Sequence, residues 1–319
     1  MINKNSKIFI TGHKGLVGSS VLNKLKKEGF KNLIIIEKKK LNLLNTNNVQ
    51  KFIKKKKIDV IINCAARVGG IMANSTYPFE FLYENIQIQN NLLISAKKYH
   101  IKRFIFLGSS CIYPKNSQTP INENQLLTGK LEKTNEAYGI AKITGIKLSE
   151  YLFYQNKLET ICLMPTNVYG INDNYDLFSS HVIPGMIMKF IDAIKLKKKK
   201  VELLGTGKPL REFIFSDDLA NAILFLLKIN SKKLLKVTKG EFPILNIGTG
   251  ENVSIKKLAN MIKKIIKFDG KIKFNYKYPD GTMKKNLNSS KIRKLGWKPK
   301  INLKSGLEKV IKYKLNKEL

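Results

Sequence analysis

Lys7-Ile-Phe-Ile-Thr11, followed at once by Gly12-His-Lys-Gly-Leu-Val-Gly18, is the run whose reading settles the fold. A short apolar segment ending at glycine reads as a buried strand, and the apolar spacing that continues to about Glu28 reads as an amphipathic helix. Between them, three glycines at intervals of three residues have a physical use. Gly12 permits a tight turn, Gly15 lets backbone approach a diphosphate at the helix N-terminus, and Gly18 lets the helix lie close on the sheet. Strand, glycine turn and helix in that order predict a dinucleotide site in an α/β protein.

The pattern repeats along the first half. Leu33–Ile36, Ile58–Asn63, Arg103–Leu107 and Glu159–Met164 read as further buried strands, and helical spacing from about Glu84 to Tyr99 and over Glu136–Glu150 supplies crossovers. The fold class is therefore α/β, a doubly wound parallel sheet. After about residue 165 the alternation gives way to shorter pieces, as in a smaller substrate-binding lobe, so the division is placed at 1–165 and 166–319, with some exchange of chain between the two parts.

Parallel sheets hold ligands at the carboxyl ends of their strands. Leu107 and Gly108 lie at such an end, and Ser109 and Cys111 come just after it. Tyr138 and Lys142 are four residues apart and share one face of the Glu136–Glu150 helix. A phenol exchanges protons poorly near neutral pH unless a cation such as the Lys142 ammonium favours its ionised form. A serine hydroxyl beside it can bind a carbonyl oxygen as charge develops there. Ser109, Tyr138 and Lys142 thus form a set able to polarise a C=O group during hydride transfer.

In order and spacing, Ser109, Tyr138 and Lys142 resemble the short-chain dehydrogenase/reductase superfamily. The run Gly108-Ser-Ser-Cys-Ile-Tyr-Pro-Lys115 is similar to that of its extended GDP-L-fucose synthase family, as are Val68–Asn74, Thr76-Tyr-Pro78, Ser180–Pro184, Pro279–Thr282 and Leu295-Gly-Trp297. The resemblance implies a Rossmann-type domain with a nucleotide-sugar lobe, NADP(H) as cofactor and a homodimer. It also implies conversion of GDP-4-dehydro-6-deoxy-D-mannose to GDP-L-fucose by inversion at C3 and C5 and reduction at C4. A sibling reaction yielding another GDP-sugar, such as GDP-L-colitose, is the alternative.

By the same resemblance Cys111 is the base and His181 the acid of the inversions. The cofactor is expected against Gly12, Gly15, Leu16, Val17 and Gly18, with Lys38 at its 2′-phosphate. Leu107, Gly108, Lys142, Pro165, Asn167, Val168 and His181 are expected along its nicotinamide half. Lys189, Leu204, Arg211 and Asp280 are the substrate-binding candidates, and Val68–Asn74 is expected to form a loop near the substrate. Glu37, beside Lys38, suits the free 2′-hydroxyl of NAD instead. Arg211 offers a fork for a diphosphate, or a salt bridge to Asp217 or Asp218.

Composition bounds the remaining possibilities. The 319 residues, 43% of them hydrophobic, are enough for a large core. A net charge of +36 raises polyanion binding, but only four of the 59 basic residues are arginines (Arg67, Arg103, Arg211, Arg293). Planar, bidentate recognition of phosphates and bases favours arginine, so the lysine tracts read as a solvated surface with no specific nucleic-acid partner. Cys64, Cys111 and Cys162 are too widely spaced for a disulfide framework or a zinc site. With no apolar run of membrane-spanning length and no targeting signal, a soluble cytoplasmic protein is expected.

Overall fold

The computed structural model describes residues 2–278 and 280–318. Its first half runs β1 (Ile8–Thr11), α1 (Leu16–Lys27), β2 (Leu33–Ile34), α2 (Thr46–Lys56), β3 (Val60–Asn63), α3 (Ile71–Thr76), α4 (Pro78–Lys98), β4 (Arg103–Leu107), α5 (Glu136–Asn156), β5 (Glu159–Pro165) and β6 (Asn167–Tyr169). There follow α6 (Val182–Lys195), β7 (Lys200–Leu204), β8 (Leu210–Phe215), α7 (Ser216–Lys228), α8 (Ser231–Val237), β9 (Ile244–Ile247) and β10 (Asn252–Ser254). The last elements are α9 (Ile255–Ile266), β11 (Lys271–Asn275), β12 (Lys284–Lys285), α10 (Ser290–Leu295) and α11 (Leu303–Glu318).

Six strands form a parallel sheet in the order β2-β1-β3-β4-β5-β9. Alternation within each strand separates two cores. Ile8, Ile10, Ile105 and Leu107 pack with Val21 and Leu25 of α1 and with Leu219 and Leu227 of α7. Phe9, Phe104 and Phe106 face Val49 of α2, Leu92 and Ala96 of α4, and Ile146 of α5. Helices therefore cover both faces, the doubly wound arrangement. Truncating a fully buried ring such as Phe104 to alanine costs about 3–5 kcal/mol.

Chain order reverses at β1, which lies between β2 and β3, so a crevice opens at the carboxyl ends of β1 and β3. Thr11 Oγ1 pins that crevice: it donates to Asn63 Oδ1 at 2.9 Å and accepts from Ala65 N at 3.1 Å. Two parts of the second half return to the sheet, α7 beneath α1 and β9 beside β5. Arg103 fastens that return, donating to the carbonyls of Leu226, Leu227 and Ile229 and pairing with Glu159.

The remaining elements build a third core, in which Ile187 and Phe190 of α6, Phe213 and Phe215 of β8, Leu258 and Ile262 of α9, and Leu307 of α11 meet. Some boundaries differ from the sequence expectation. Helix α4 begins at Pro78 rather than near Glu84, because proline fits the first helical turn. The expected 68–74 loop is a loop only to Gly70; Ile71 opens α3, with Asn74 Nδ2 donating to the carbonyls of Gly69 and Gly70. β2 stops at Ile34 because it is the sheet edge, and Ile35 is exposed.

Candidate active site

The crevice at the switch point suits an anionic, extended ligand. Gly12 adopts φ +64°, and a Cβ there would lie 2.8 Å from Cys64 O. A Cβ on Gly18 would fall 2.2 Å from Gly12 O, so turn and helix touch through backbone alone. Gly15 caps α1 without a side-chain hydrogen bond, and the first helical turn has no acidic residue. Its backbone N–H groups, starting with Leu16 and Val17, thus keep their positive end for a diphosphate. Asn63 Nδ2 is a buried donor without a partner at the same strand ends. These features fit a dinucleotide.

Beside this turn, His13, Glu37, Lys40 and Phe52 line a groove of about 470 Å³. Glu37 there pairs with Lys14 at 2.6 Å, which holds its carboxyl below the usual range. The carboxylate that favours a ribose hydroxyl is thus already engaged by a cation, while Lys38 next to it is exposed. On the far side, the segment after β6 closes over α1: Asn172 Nδ2 donates to Ser19 Oγ, and a Cβ on Gly170 would lie 3.0 Å from Leu16 Cδ1. Asn167 turns its amide to Glu212 O at 2.8 Å. Val168 packs on the core beneath, and Pro165 ends β5.

β4 delivers the reactive groups. Its last carbonyl, Leu107 O, accepts from Lys142 Nζ at 2.9 Å, and the ammonium lies over the Tyr138 ring at 5.6 Å. A Cβ on Gly108 would strike Met164 Sδ at 2.3 Å, so β4 leaves the sheet pressed against β5. Ser109 then caps a 3-10 turn over Ser110–Ile112, its Oγ accepting from Cys111 N at 3.2 Å. That bond leaves the hydroxyl proton free to be donated. Cys111 Sγ accepts from Asn135 Nδ2 at 3.2 Å.

Desolvation governs the electrostatics. Burial pushes the Tyr138 phenol above its ordinary range, and the neighbouring Cys111 charge pushes it further. Burial pulls Lys142 down to about 8. The expected ionisation of Tyr138 by Lys142 is therefore not the resting arrangement: the ammonium is bound to a carbonyl, and the phenol is held as a proton donor. Cys64 is pushed up to about 12 by burial, which suits packing rather than nucleophilic work.

Arg211 approaches from β8. Its Nη1 donates to the carbonyls of Leu210 and Thr282, and it feels the charges of Asp280, Cys111 and Glu132. The salt bridge to Asp217 or Asp218 does not form; Asp218 instead accepts from the backbone of Lys300 and Ile301. Asp280 binds Thr206 through both oxygens, Thr206 N to Oδ1 at 2.9 Å and Oγ1 to Oδ2 at 2.5 Å, which shapes the turn after the exposed Leu204. Pro279 of the same motif lies outside the described residues. Lys189 reaches Glu202 O at 3.1 Å, and burial lowers its ammonium.

His181 caps α6 and is exposed. Its loop is stitched to the crevice wall: Gly70 N donates to Ser179 O at 2.9 Å, a Cβ on Gly69 would lie 3.2 Å from Phe81 Cζ, and Phe81 meets Tyr138 edge-on at 6.4 Å. Sequence reading missed Asn135, which holds the thiol, and Asp173, whose Oδ1 stands 4.0 Å from His181 Nδ1. Asn135 caps the helix bearing Tyr138, a position that could have been weighed as a neighbour of the phenol.

A dinucleotide crevice meeting a serine, a tyrosine and a lysine at the end of β4 defines the class of nucleotide-linked oxidoreductases acting on carbonyls. The chain belongs to the NAD dependent epimerase/dehydratase family, whose sequence model matches residues 8–248. It is 44% identical over 307 residues to GDP-L-fucose synthase 1 of Arabidopsis thaliana, covering 96% of this chain and 92% of that protein. Identity to GDP-L-colitose synthase of Yersinia pseudotuberculosis is lower, 36% over 313 residues, covering 98% of this chain and 99% of that protein. Among solved structures, a GDP-6-OMe-4-keto-L-xylo-heptose reductase from C. jejuni superposes with a TM-score of 0.93 at 36% identity, covering 99% of each chain. A GDP-mannoheptose C4 reductase from Campylobacter jejuni with NADP bound gives 0.88 at 35%, covering 99% of this chain and 100% of that one.

Proposed function

We propose that this chain converts GDP-4-dehydro-6-deoxy-D-mannose to GDP-L-fucose, inverting C3 and C5 and then reducing the C4 ketone with NADPH. The higher identity to a GDP-L-fucose synthase favours this product over the colitose sibling. The observation that carries the double chemistry is Cys111, set just past β4 with its N–H on Ser109 and its thiol held by Asn135, the residue at the start of the helix that bears Tyr138. A simple reductase has no use for a thiol there.

Hydrogens on C3 and C5 flank the ketone, so removing either gives an enolate. Ser109 and Tyr138 donate hydrogen bonds to its oxygen, Cys111 as thiolate takes the proton from one ring face, and His181 returns one on the other. Bound NADPH supplies the hydride for C4. Tyr138, kept protonated by burial, gives its proton to the C4 oxygen, and Lys142 fixes the end of β4 against the helix that carries Tyr138.

The α1 turn with Gly12, Gly15, Leu16, Val17 and Gly18 would hold the diphosphate, and Lys38 with Lys14 the 2′-phosphate. Arg211, Lys189 and the Leu204 turn pinned by Asp280 would hold the GDP portion, making residues 166–319 mainly the nucleotide-sugar lobe.

A homodimer is the assembly we favour. Phe79, Tyr83 and Ile94 on α4 and Ile140, Tyr151 and Tyr154 on α5 are exposed, a large apolar surface on two neighbouring helices. No helix among the described residues is long and apolar enough to cross a membrane. Three free thiols suit the reducing cytoplasm. Incubation with GDP-4-dehydro-6-deoxy-D-mannose and NADPH should yield GDP-L-fucose; GDP-4-dehydro sugar recovered unchanged, or reduced without inversion, would refute the proposal.

A further inference from the structure

The loop between β6 and α6 contains a carboxylate that the reaction above does not use. The Asp173 side chain is only 4% exposed. Its Oδ1 accepts from Asn174 N at 2.8 Å, and its Oδ2 is buried without any hydrogen-bond partner. A buried carboxylate oxygen left unpaired is costly, on the order of 1–3 kcal/mol or more, unless a donor reaches it. The nearby phenol of Tyr175 is no such donor, because its hydroxyl turns to Gly170 O at 3.4 Å. The imidazole of His181 stands beside the same carboxylate, with Nδ1 at 4.0 Å from Oδ1, the oxygen that also accepts from Asn174 N.

The loop is built to keep these two together. Asp176 accepts from Ser179 N at 2.9 Å and from Ser179 Oγ at 2.7 Å. Asn174 Nδ2 donates to Ser179 Oγ at 2.8 Å, and Ser180 N donates to Asp176 O at 2.8 Å. Asp173 and His181 stand at the two ends of this knot. At 4.0 Å the pair is in contact but not hydrogen-bonded, and catalytic hydrogen bonds that are long in a free enzyme tighten when substrate is bound.

We infer that Asp173 is the positioning residue of His181: its carboxylate takes the Nδ1–H, which leaves Nε2 as the nitrogen that carries the proton delivered to the sugar carbon. The inference rests on the proposed function, in which His181 is the acid. Proton balance is simple. The imidazolium gives its Nε2 proton to the carbanionic carbon and remains as the neutral Nδ1–H tautomer, bound to Asp173. An aspartate fixing the tautomer of a histidine in this way is a general device of acid–base sites.

The chain has only three histidines, His13, His100 and His181, so imidazole 15N spectra are tractable, with His181 assigned by its loss in His181→Asn. Neutral His181 in the unmodified protein should be the Nδ1–H tautomer; finding it as Nε2–H overturns the inference without any variant. In Asp173→Asn the signal should move toward Nε2–H. That variant should also slow deuterium exchange at C3 and C5 about tenfold to a hundredfold, a part of the roughly hundredfold to ten-thousandfold that a general acid contributes. NADPH binding should be unchanged, and Asp173→Asn should add nothing to His181→Asn in the double variant. Wild-type exchange in Asp173→Asn, with His181→Asn inactive, overturns the role of Asp173 alone. Wild-type exchange in His181→Asn overturns the underlying assignment of the acid, and this inference with it.

Discussion

Cys111 sits on the floor of the site, in a 3-10 turn where its own N–H donates to Ser109 Oγ and its thiol accepts from Asn135. His181 sits on the rim, exposed at the start of α6, at the end of a loop joined to Gly70 by a backbone hydrogen bond. The floor inherits its precision from the sheet: β4 is flanked by β3 and β5 and buried along its whole length. The rim is fixed by loop hydrogen bonds, the backbone bond from Gly70 N to Ser179 O among them, and not by a strand ladder. In the proposed mechanism the steps that need an invariant geometry, stabilising an oxygen and protonating it, fall to the floor. The proposed acid, which would meet a ring carbon from the other face, stands where it can adjust.

Breaking the floor should have the larger effect. Tyr138→Phe removes the proton donor to C4 and should lower the reduction rate by about a thousandfold or more, within the range for a lost general acid, read as NADPH oxidation in single turnovers. Cys111→Ser should lower C3 and C5 exchange by about a hundredfold while NADPH still binds, read by deuterium incorporation and by fluorescence titration. Equal exchange in that variant would remove the thiol from the mechanism.

The rim can be moved without touching His181. A Cβ at Gly70 would lie 2.3 Å from Ser180 O, so Gly70→Ala should push the His181 loop outward. A shift of about 1 Å in a reacting group can cost as much as a hundredfold; about tenfold is expected here for exchange, with cofactor affinity intact. If exchange and cofactor binding fell together, rim and floor would be one unit and the contrast drawn above would fail.

The smallest effect concerns Lys142. Its pKa is lowered from 10.5 to about 8 by burial. Between those values the unfolded chain binds the proton and the folded chain does not, so stability rises with pH through that window; the cost of burying the ammonium is full below pH 8. Relative to Lys142→Met, the wild type should gain about 1 kcal/mol between pH 8 and pH 9 in urea denaturation. A constant difference would mean the ammonium stays charged in the folded state.

The same contrast explains what could be read from the chain. β1, the glycine turn and β4 are local patterns, and their periodicity fixes both strand and neighbour, so the sheet and the Ser109, Tyr138 and Lys142 set were legible. The return of β9 and α7 to the sheet, with 78 residues between β5 Pro165 and β9 Ile244, leaves no local trace. Asp173 was illegible because an Asp-Asn turn looks the same whether its carboxylate faces water or an imidazole. Asn135 escaped because a helix cap is an ordinary use for asparagine. The resting electrostatics of Tyr138 and Lys142 were misread because spacing reports proximity but not burial, and burial decides both shifts.

One pocket that loosens C–H bonds beside a ketone before reducing it makes a direct demand on the protein without NADPH. Incubated in heavy water with GDP-4-dehydro-6-deoxy-D-mannose alone, it should place deuterium at both C3 and C5 of the recovered sugar, with no change at C4. Deuterium at neither carbon until NADPH is added, with C4 then reduced in the original configuration, would contradict the account.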